Sequence, residues 1–200
     1  MGARRPGHMD QELIERARQG DREAFALIVD ASFDRCYEIA RRVLGESHLA
    51  QDATQQAMLS IWRDLPKLRA NDRFDAWAYR ITVNACYSEA KRARRTIAVL
   101  NADDSVHAVA DEFGSVVDRD QLERAFSRQK LEHRAVLVLR YYLDMPVEEV
   151  ASVLDIPLGT AKSRIHHALN AMRAALEADN RPPSGGSPAM NDVHAGQTAR

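Results

Sequence analysis

Residues 145–176, MPVEEVASVLDIPLGTAKSRIHHALNAMRAAL, contain two short helical patterns joined by a tight turn. In the first pattern, apolar residues recur at i, i+3, i+4 and i+7, the spacing of one face of an α-helix: Val147, Val150, Ala151 and Leu154. Pro157 cannot continue that helix. We predict that Gly159 supplies a hinge and that the hydroxyl of Thr160 caps the start of a second helix.

The predicted second helix is apolar on one side and cationic on the others. Its apolar stripe consists of Ala161, Ile165, Ala168, Leu169, Met172 and Leu176. Its other faces carry Lys162, Ser163, Arg164, His166, His167, Asn170 and Arg173, with no acidic residue among them. A helical hairpin with a solvated cationic face would have a similar composition. The short turn nevertheless favours a helix-turn-helix, whose second helix enters the DNA major groove.

The distribution of charge is more informative than the formal net charge of −1. Residues 78–95 carry five Lys or Arg residues against Glu89 alone, a net charge of +4. Residues 96–121 carry six acidic residues against Arg119, a net charge of −5. We interpret these neighbouring blocks as a basic nucleic-acid surface followed by an acidic, solvated connector.

Several classes of protein are disfavoured by the sequence. Cys36 and Cys86 are isolated and lack metal-ligand spacing, which predicts buried thiols in a reducing compartment. No apolar run reaches the length of a membrane span, and no nucleotide-binding or catalytic motif occurs. We therefore expect a cytoplasmic protein that is not an enzyme and holds neither a metal nor an organic cofactor.

The whole chain predicts an all-α fold with two small helical domains. Before the acidic block, helical patterns cover residues 11–19, 21–44, 47–65 and 74–95. Asp21 and Ser47 are the predicted N-caps of the second and third helices. The resulting organisation is a helical bundle at 10–95, a flexible acidic linker at 96–120, a helix-turn-helix domain at 121–178, and frayed or disordered ends at 1–9 and 179–200.

The predicted fourth helix interleaves aromatic rings with cations and amides. Its rings are Phe74, Trp77, Tyr79 and Tyr87, and its polar residues include Arg80, Asn84, Lys91 and Arg92. Exposed rings could stack on unpaired bases while the cations follow the phosphate backbone. Trp77 and Ile81 share a helix face, so some of the rings must instead belong to the core. The pattern alone leaves both interpretations open.

Five blocks in one order bring these observations together. They are DATQ at 52–55 with Trp62 after it, FDAWAYRITVN at 74–84, KRARR at 91–95, EEVA at 148–151 and GTAKSR at 159–164. In this order and with an intervening linker, the chain resembles the extracytoplasmic-function sigma factors, two-domain initiation factors of bacterial RNA polymerase. The resemblance runs from about residue 11 to residue 178.

The resemblance implies three groups of functional residues. The third helix would dock on the β′ clamp helices of core polymerase through Asp52, Gln55, Gln56 and Trp62. The loop at 68–74 and the helix after it would bind the minus-ten element and a flipped base through Asn71, Arg73, Trp77, Arg80, Asn84, Lys91 and Arg92. The recognition helix would read the minus-thirty-five element through Thr160, Lys162, Ser163, Arg164, His166 and His167.

The resemblance also implies partners. We expect core polymerase, contacted at the β′ clamp helices and the β flap, together with promoter DNA and an anti-sigma factor. The protein is expected to be a monomer without membrane insertion that recognises promoters and assists melting. It departs from the family at Gln56, often acidic, at Ser88, often Asp, and at His167, often Arg. These departures would alter the charge of the polymerase-facing helix and the promoter preference.

Two other functions are compatible with parts of the sequence. A stand-alone helix-turn-helix regulator would use the N-terminal helices as a dimerisation or ligand module. A helical enzyme or adaptor would use them as a pocket, but the sequence offers no convergent set of titratable residues. A requirement for core polymerase before specific DNA binding would discriminate the sigma factor from both.

Overall fold

The computed structural model describes residues 9–100 and 117–179. All regular structure within those two ranges is helical, which confirms the predicted all-α class. The α-helices are α1 (Gln11–Arg18), α2 (Arg22–Leu44), α3 (Ser47–Asp64), α4 (Phe74–Leu100), α5 (Val117–Ser127), α6 (Leu131–Leu137), α7 (Val147–Leu154) and α8 (Leu158–Asp179). Two 3-10 turns, Leu65–Lys67 and Asn71–Arg73, connect α3 to α4, and a π-helical segment, Val138–Tyr142, continues α6.

Of the two N-caps predicted in the N-terminal domain, one is confirmed and the other is wrong. The Asp21 side chain caps α2 by accepting hydrogen bonds from the backbone N–H groups of Glu23 and Ala24, both at 3.0 Å. Ser47 does not cap α3, because it is already the first helical residue. Its hydroxyl instead accepts a hydrogen bond from Arg41 Nη1 at 3.0 Å, which ties the start of α3 to the end of α2.

The N-terminal domain packs α1 to α4 around an apolar cluster. Its largest fully buried side chains are Ile14, Ile28, Ile61, Leu65 and Phe74, and burial of each such side chain contributes about 1.5–3 kcal/mol. Leu68 is buried in the same cluster. Both ends of the segment at 68–74 are therefore anchored in the core, while Arg69 and Arg73 within it are exposed.

The helix-turn-helix is confirmed as α7 and α8, but its turn differs from the prediction. Asp155 ends α7 in the left-handed conformation, with φ of 54°. The second helix begins at Leu158, and the Pro157 carbonyl accepts a hydrogen bond from the Ala161 N–H at 3.0 Å. Gly159 and Thr160 are thus helical rather than a hinge and an N-cap, because the turn between the two helices lies earlier, at residues 155–157.

The apolar face of α8 is narrower than the sequence pattern indicates. Ala161, Ile165 and Ala168 are buried, as predicted. Leu169 is 38% exposed, so its inclusion in the buried stripe was wrong. Its neighbour Ala168 occupies the position on α8 that faces the core.

The two domains pack directly against each other. One buried apolar cluster contains Val43 and Val83 from the N-terminal domain and Val136, Leu139 and Val150 from the C-terminal domain. At its edge, Arg134 Nη1 donates a hydrogen bond to the Leu44 carbonyl at 3.3 Å, and burial lowers the pKa of Arg134. The Arg42 guanidinium lies 3.9 Å from the centroid of the Tyr142 ring, in cation–π contact.

Helices extend into both ends of the predicted linker. The fourth helix continues to Leu100 rather than ending near Arg95, and α5 begins at Val117 rather than at residue 120 or 121. The prediction of a flexible linker therefore concerns at most residues 101–116, which lie outside the described residues. The predictions for residues 1–8 and 180–200 also lie outside them.

Cys36 and Cys86 are buried free thiols, as the sequence predicts. Burial raises the pKa of Cys36 to about 11 and that of Cys86 to about 12, so both remain protonated near neutral pH. Of the helices in residues 9–100 and 117–179, none is both long enough and apolar enough to cross a membrane.

Candidate nucleic-acid and protein interfaces

One side of α3 forms a continuous exposed face. Asp52, Gln55 and Gln56 all lie on it, as the sequence analysis expects of a docking surface. The opposite side is buried through Ala50, Ala53, Ala57 and Ile61. Leu59 follows at i+7 from Asp52 and is 65% exposed. Leu59 therefore places an exposed apolar side chain on an otherwise polar face, and it is not among the residues selected from sequence.

Trp62 is both an anchor and part of this exposed face. Its ring lies 4.6 Å, centroid to centroid, from the ring of Phe25 on α2. It nevertheless remains 37% exposed. Contact with Phe25 therefore fixes the orientation of the indole while leaving part of it available to a partner.

The segment at 68–74 forms one wall of a cavity of about 220 Å³. The residues that line it are Leu68, Arg69, Ala70, Arg73, Ala76, Trp77, Arg80, Ser152 and Val153. Three arginines and one half-buried indole thus share one concave surface. Cations beside an aromatic ring can bind a nucleic-acid backbone and stack against a base. The structure brings together Arg73, Trp77 and Arg80 here, and adds Arg69.

Asn71 lies on the same segment but its amide faces α1. Asn71 Nδ2 donates to Glu15 Oε2 at 3.2 Å, and Arg18 Nη1 donates to Asn71 Oδ1 at 3.3 Å. Asn71 is therefore half-buried between two charged side chains. These contacts could not be predicted from sequence, because Glu15 and Arg18 are more than 50 residues away in the chain.

The remaining predicted minus-ten residues lie along α4. Exposed residues recur at intervals of three or four and form one stripe: Arg80, Asn84, Ser88, Lys91 and Arg95. Arg92 projects from the neighbouring face, where it binds two acids. Phe74 and Tyr79 are buried and belong to the core. Trp77 and Tyr87 are half-buried against the core, and Trp77 also lines the groove. Arg95 extends the stripe beyond the residues selected from sequence.

The recognition helix presents most of its predicted residues to solvent. Lys162, Ser163, His166 and His167 are exposed, opposite the buried face of α8. The Ser163 hydroxyl donates to the Thr160 carbonyl at 3.0 Å, and the rings of the two histidines lie 5.7 Å apart. Arg164 is only partly exposed. The geometry therefore suits base reading by four side chains and leaves Arg164 on the flank of the helix.

Comparison with known families agrees with this division of the chain. The model of Sigma-70 region 2 matches residues 28–96, and the model of Sigma-70, region 4 matches residues 119–172. The ECF RNA polymerase sigma factor SigM of Mycobacterium tuberculosis is 32% identical over 159 residues, covering 80% of this chain and 80% of that protein. The chain belongs to the extracytoplasmic-function sigma factors of RNA polymerase.

The similarity to two other relatives extends over nearly their whole length. The ECF RNA polymerase sigma factor SigW of Bacillus subtilis is 29% identical to this sigma factor over 185 residues, covering 84% of this chain and 97% of the relative. The RNA polymerase sigma-H factor of Pseudomonas aeruginosa is 30% identical over 183 residues, covering 84% and 94%.

Two solved structures share the fold. The sigma factor RpoE of Bartonella quintana, in complex with the anti-sigma factor NepR, has a TM-score of 0.62, 20% identity, and coverage of 78% of this sigma factor and 98% of that chain. CnrH, in complex with the cytosolic domain of CnrY, has a TM-score of 0.60, 24% identity, and coverage of 85% and 98%. The likeness confirms the two-domain helical architecture.

The matches also settle what the N-terminal domain is. It corresponds to region 2 of sigma factors, so the interpretation of this sigma factor as a stand-alone helix-turn-helix regulator is not favoured. The region 2 match begins at residue 28, within α2, and therefore leaves α1 outside it. The region 2 match therefore says nothing about the role of α1, which has to be inferred from the contacts that α1 makes.

The two candidate surfaces of the N-terminal domain meet at one ion pair. Arg92 Nη2 lies 3.1 Å from Asp52 Oδ2 and 2.6 Å from Glu89 Oε1. Asp52 belongs to the exposed face of α3, whereas Arg92 belongs to the cationic helix α4. Because both groups are about half-exposed or more, the pair contributes little stability, and either partner can exchange it for another ligand.

The C-terminal domain lies over the other end of the candidate minus-ten surface. Arg80 Nη2 forms an ion pair with Asp155 Oδ2 at 3.0 Å. Ser152 and Val153 of α7 close the side of the groove formed by Trp77. The arrangement thus engages part of the candidate DNA surface of region 2 within the sigma factor itself.

Proposed function

We propose that this sigma factor docks on core polymerase through the exposed face of α3, with Asp52, Gln55, Gln56, Leu59 and Trp62 as the contact residues. Polar side chains around one exposed leucine and one held indole have the composition of a protein interface with an apolar centre. By family, the β′ clamp helices would receive this face, and the β flap would receive the C-terminal domain.

We further propose that the cationic groove and stripe of α4 hold the minus-ten element. Arg69, Arg73 and Arg80 would contact phosphates, and Asn84, Lys91 and Arg92 would follow the strand. Trp77 would stack on a base that has left the duplex, and Asn71 would form a hydrogen bond with that base. The observation that most supports this proposal is the groove itself, in which three arginines surround one half-exposed indole. Lys162, Ser163, His166 and His167 would read the minus-thirty-five element in the major groove, with Thr160 and Arg164 on phosphates.

The energetics of promoter opening explain why both surfaces are needed. Separating each base-pair step costs about 1.4 kcal/mol of stacking on average. A base stacked on an aromatic side chain returns about 1–3 kcal/mol, and a good base contact in the major groove contributes a similar amount. A few captured bases together with polymerase contacts can therefore offset the free-energy cost of opening a short stretch of duplex. The sigma factor would supply specificity and a platform for the open strand, without catalysing a reaction itself.

The packed arrangement of the two domains cannot bind both promoter elements at once. Their centres are about 25 base pairs apart, or about 85 Å of duplex at 3.4 Å per base pair. A compact body of 200 residues has a radius of gyration of only about 16 Å and is therefore roughly 40 Å across. We infer that the domains separate when the sigma factor joins polymerase, which also releases Arg80 and the groove.

An anti-sigma factor is a further proposed partner. Two proteins of the same fold were solved with such a regulator or with a cytosolic domain of a second protein. The surfaces that a regulator must block here are those of α3 and the groove. We place the protein in the cytoplasm, where it would meet core polymerase.

Run-off transcription from a randomised promoter library tests the proposed function. Purified core polymerase would be combined with the wild type, with Asp52→Ala or with Lys162→Ala. The wild type should select a common two-box promoter. Asp52→Ala should require about three- to tenfold more sigma factor for half-maximal transcription. Lys162→Ala should weaken selection at the minus-thirty-five box about five- to tenfold, because a good base contact contributes about 1–3 kcal/mol of discrimination.

The control for both variants is Glu12→Ala, which removes a charge at an exposed position on α1 that is not among the proposed contact residues. It should transcribe like the wild type. The proposal fails if transcription by core polymerase does not depend on the protein while the protein alone binds a palindromic duplex specifically. That result would restore the stand-alone regulator.

A further inference from the structure

The first helix contacts the segment proposed to capture a minus-ten base. Asn71 Nδ2 donates to Glu15 Oε2 at 3.2 Å and, more weakly, to the Gln11 carbonyl at 3.5 Å. Arg18 Nη1 donates to Asn71 Oδ1 at 3.3 Å and to Glu15 Oε2 at 2.7 Å. One amide, one carboxylate and one guanidinium therefore form a closed ring of hydrogen bonds between α1 and the segment.

The two charged partners permit only one orientation of the Asn71 amide. Arginine can only donate hydrogen bonds, and an ionised glutamate can only accept them. Rotating the amide by 180° would place its N–H groups against the guanidinium and its oxygen against the carboxylate. Hydrogen bonds from Asn71 and Gln19, followed by the charge of Arg18, lower the pKa of Glu15 and keep it ionised near neutral pH.

Anchoring of the segment does not by itself require this ring. Leu68 and Phe74 already hold both ends in the apolar core. Polar contacts near solvent contribute little stability. Arg18 Nε, moreover, is buried without a hydrogen-bond partner among the described residues, which opposes stability. The ring therefore contributes orientation rather than anchorage.

We propose that Glu15 and Arg18 are positioning residues for minus-ten recognition, because they fix the Asn71 amide so that Oδ1 is the atom available to a base. Both amide hydrogens are directed toward α1, and one lone pair of Oδ1 remains without a donor in the described part of the chain. Asn71 then acts as an acceptor, and the captured base donates through an amino group. This inference rests on the proposed function of the segment at 68–74.

The test is promoter selection by holoenzyme assembled from core polymerase and the full chain. Base preference would be scored position by position for the wild type, Asn71→Ala, Glu15→Ala and Arg18→Ala. Asn71→Ala should reduce preference at one minus-ten position about tenfold, and each α1 variant should reduce it at the same position about three- to tenfold. Preferences in the minus-thirty-five box and the affinity for core polymerase should stay within twofold of the wild type.

Conservative variants separate orientation from a merely structural role. Glu15→Gln keeps an acceptor oxygen and Arg18→Lys keeps a cationic donor, so each should recover about half or more of the lost preference. Glu12→Ala is the control on the same helix. The melting temperature of every variant is measured alongside.

Three results would overturn the inference. If Glu15→Ala and Arg18→Ala both retained the full base preference, Glu15 and Arg18 would not act through Asn71. An equal loss at all minus-ten positions would show a structural role only. An unchanged preference in Asn71→Ala would show that this amide reads no base. Failure of the proposed function is distinguishable from all three, because the wild type would then select no two-box promoter.

Discussion

The proposed minus-ten surface and the proposed minus-thirty-five surface have different surroundings in the same molecule. On α8, Lys162, His166 and His167 face solvent, and within residues 9–100 and 117–179 no acid forms an ion pair with Lys162. On the N-terminal domain, Arg80 is paired with Asp155, and α7 closes one side of the groove. The proposed minus-thirty-five surface is thus open to solvent, whereas the proposed minus-ten surface is partly covered.

This difference indicates an order of events. A helix that reads duplex DNA needs no change in the protein before it binds. A groove that holds an unpaired base is required only when the duplex opens, and under the proposed function the C-terminal domain would first move away from it. The apparent affinity for a single strand is reduced by the fraction of molecules in which the groove is free. Variants that weaken the contact between the domains should therefore increase single-strand binding without changing duplex binding.

The largest effect is expected from Val153→Arg. Val153 is buried on α7 and lines the groove beside Arg73 and Arg80. A cation there removes apolar burial worth about 1.5–3 kcal/mol and adds like-charge repulsion. We expect binding of the isolated protein to a single-stranded minus-ten oligonucleotide to tighten at least about tenfold, measured by fluorescence anisotropy. Binding to a minus-thirty-five duplex should change less than twofold.

Ser127→Arg is the matched control for that variant. It adds the same charge to the same domain at an exposed position on α5. Non-specific attraction to DNA would tighten binding equally in both variants. Equal single-strand affinity of Val153→Arg and the wild type, with the helical content retained, would mean that the domains do not compete with DNA for the groove.

A smaller effect is expected from removing the ion pair across the boundary. Asp155→Asn keeps a residue that tolerates the left-handed backbone, with φ of 54°, but removes the charge that binds Arg80. Because both groups are substantially exposed, the pair contributes between 0 and about 1 kcal/mol. We expect single-strand binding to tighten by about two- to threefold.

Asp144→Asn provides a close comparison for this change. Asp144 also has a positive φ, 52°, but its partner Arg140 lies in the same domain at 3.5 Å. This variant should leave single-strand affinity unchanged. A similar gain in both variants would trace the effect to net charge rather than to the boundary between the domains.

The sequence could predict most of the fold because its signals are local. The apolar spacing of α7 and the side chain of Asp21 act within one or two helical turns, and both are confirmed. The start of α8 was misplaced because Gly159 and Thr160 resemble a turn, whereas Asp155 adopts the left-handed conformation that ends α7. From sequence alone, the turn could lie at Gly159 and Thr160 or at Asp155.

The candidate surfaces were less predictable for a different reason. Exposure of Asp52, Gln55 and Lys162 follows from helix periodicity, so these residues could be selected from sequence. The contacts of Asn71 with α1 and of Arg80 with Asp155 join residues 53 to 75 positions apart. No periodic pattern encodes such pairs. Leu59 could have been found, since its place at i+7 from Asp52 puts an apolar residue on a polar face.

The smallest predicted effect is a pH dependence of the stability of the C-terminal domain, caused by His133. Burial lowers the pKa of His133 on α6, Lys130 adds to the effect, and Glu132 opposes it, while His167 and Arg164 of α8 lower the pKa further. The unfolded chain therefore takes up this proton near pH 6.5, before the folded protein does. The stability contributed by neutral His133 is present above that pH and is lost as the pH falls below it.

Urea denaturation at pH 7.5 and pH 5.5 should show a smaller acid-induced loss of stability for His133→Gln than for the wild type. An identical loss in both proteins would mean that His133 does not link the stability of this domain to pH. Phosphates bound at α8 would partly neutralise the cations that lower the pKa of His133, so a minus-thirty-five duplex should reduce the acid-induced loss in the wild type and have less effect in the variant.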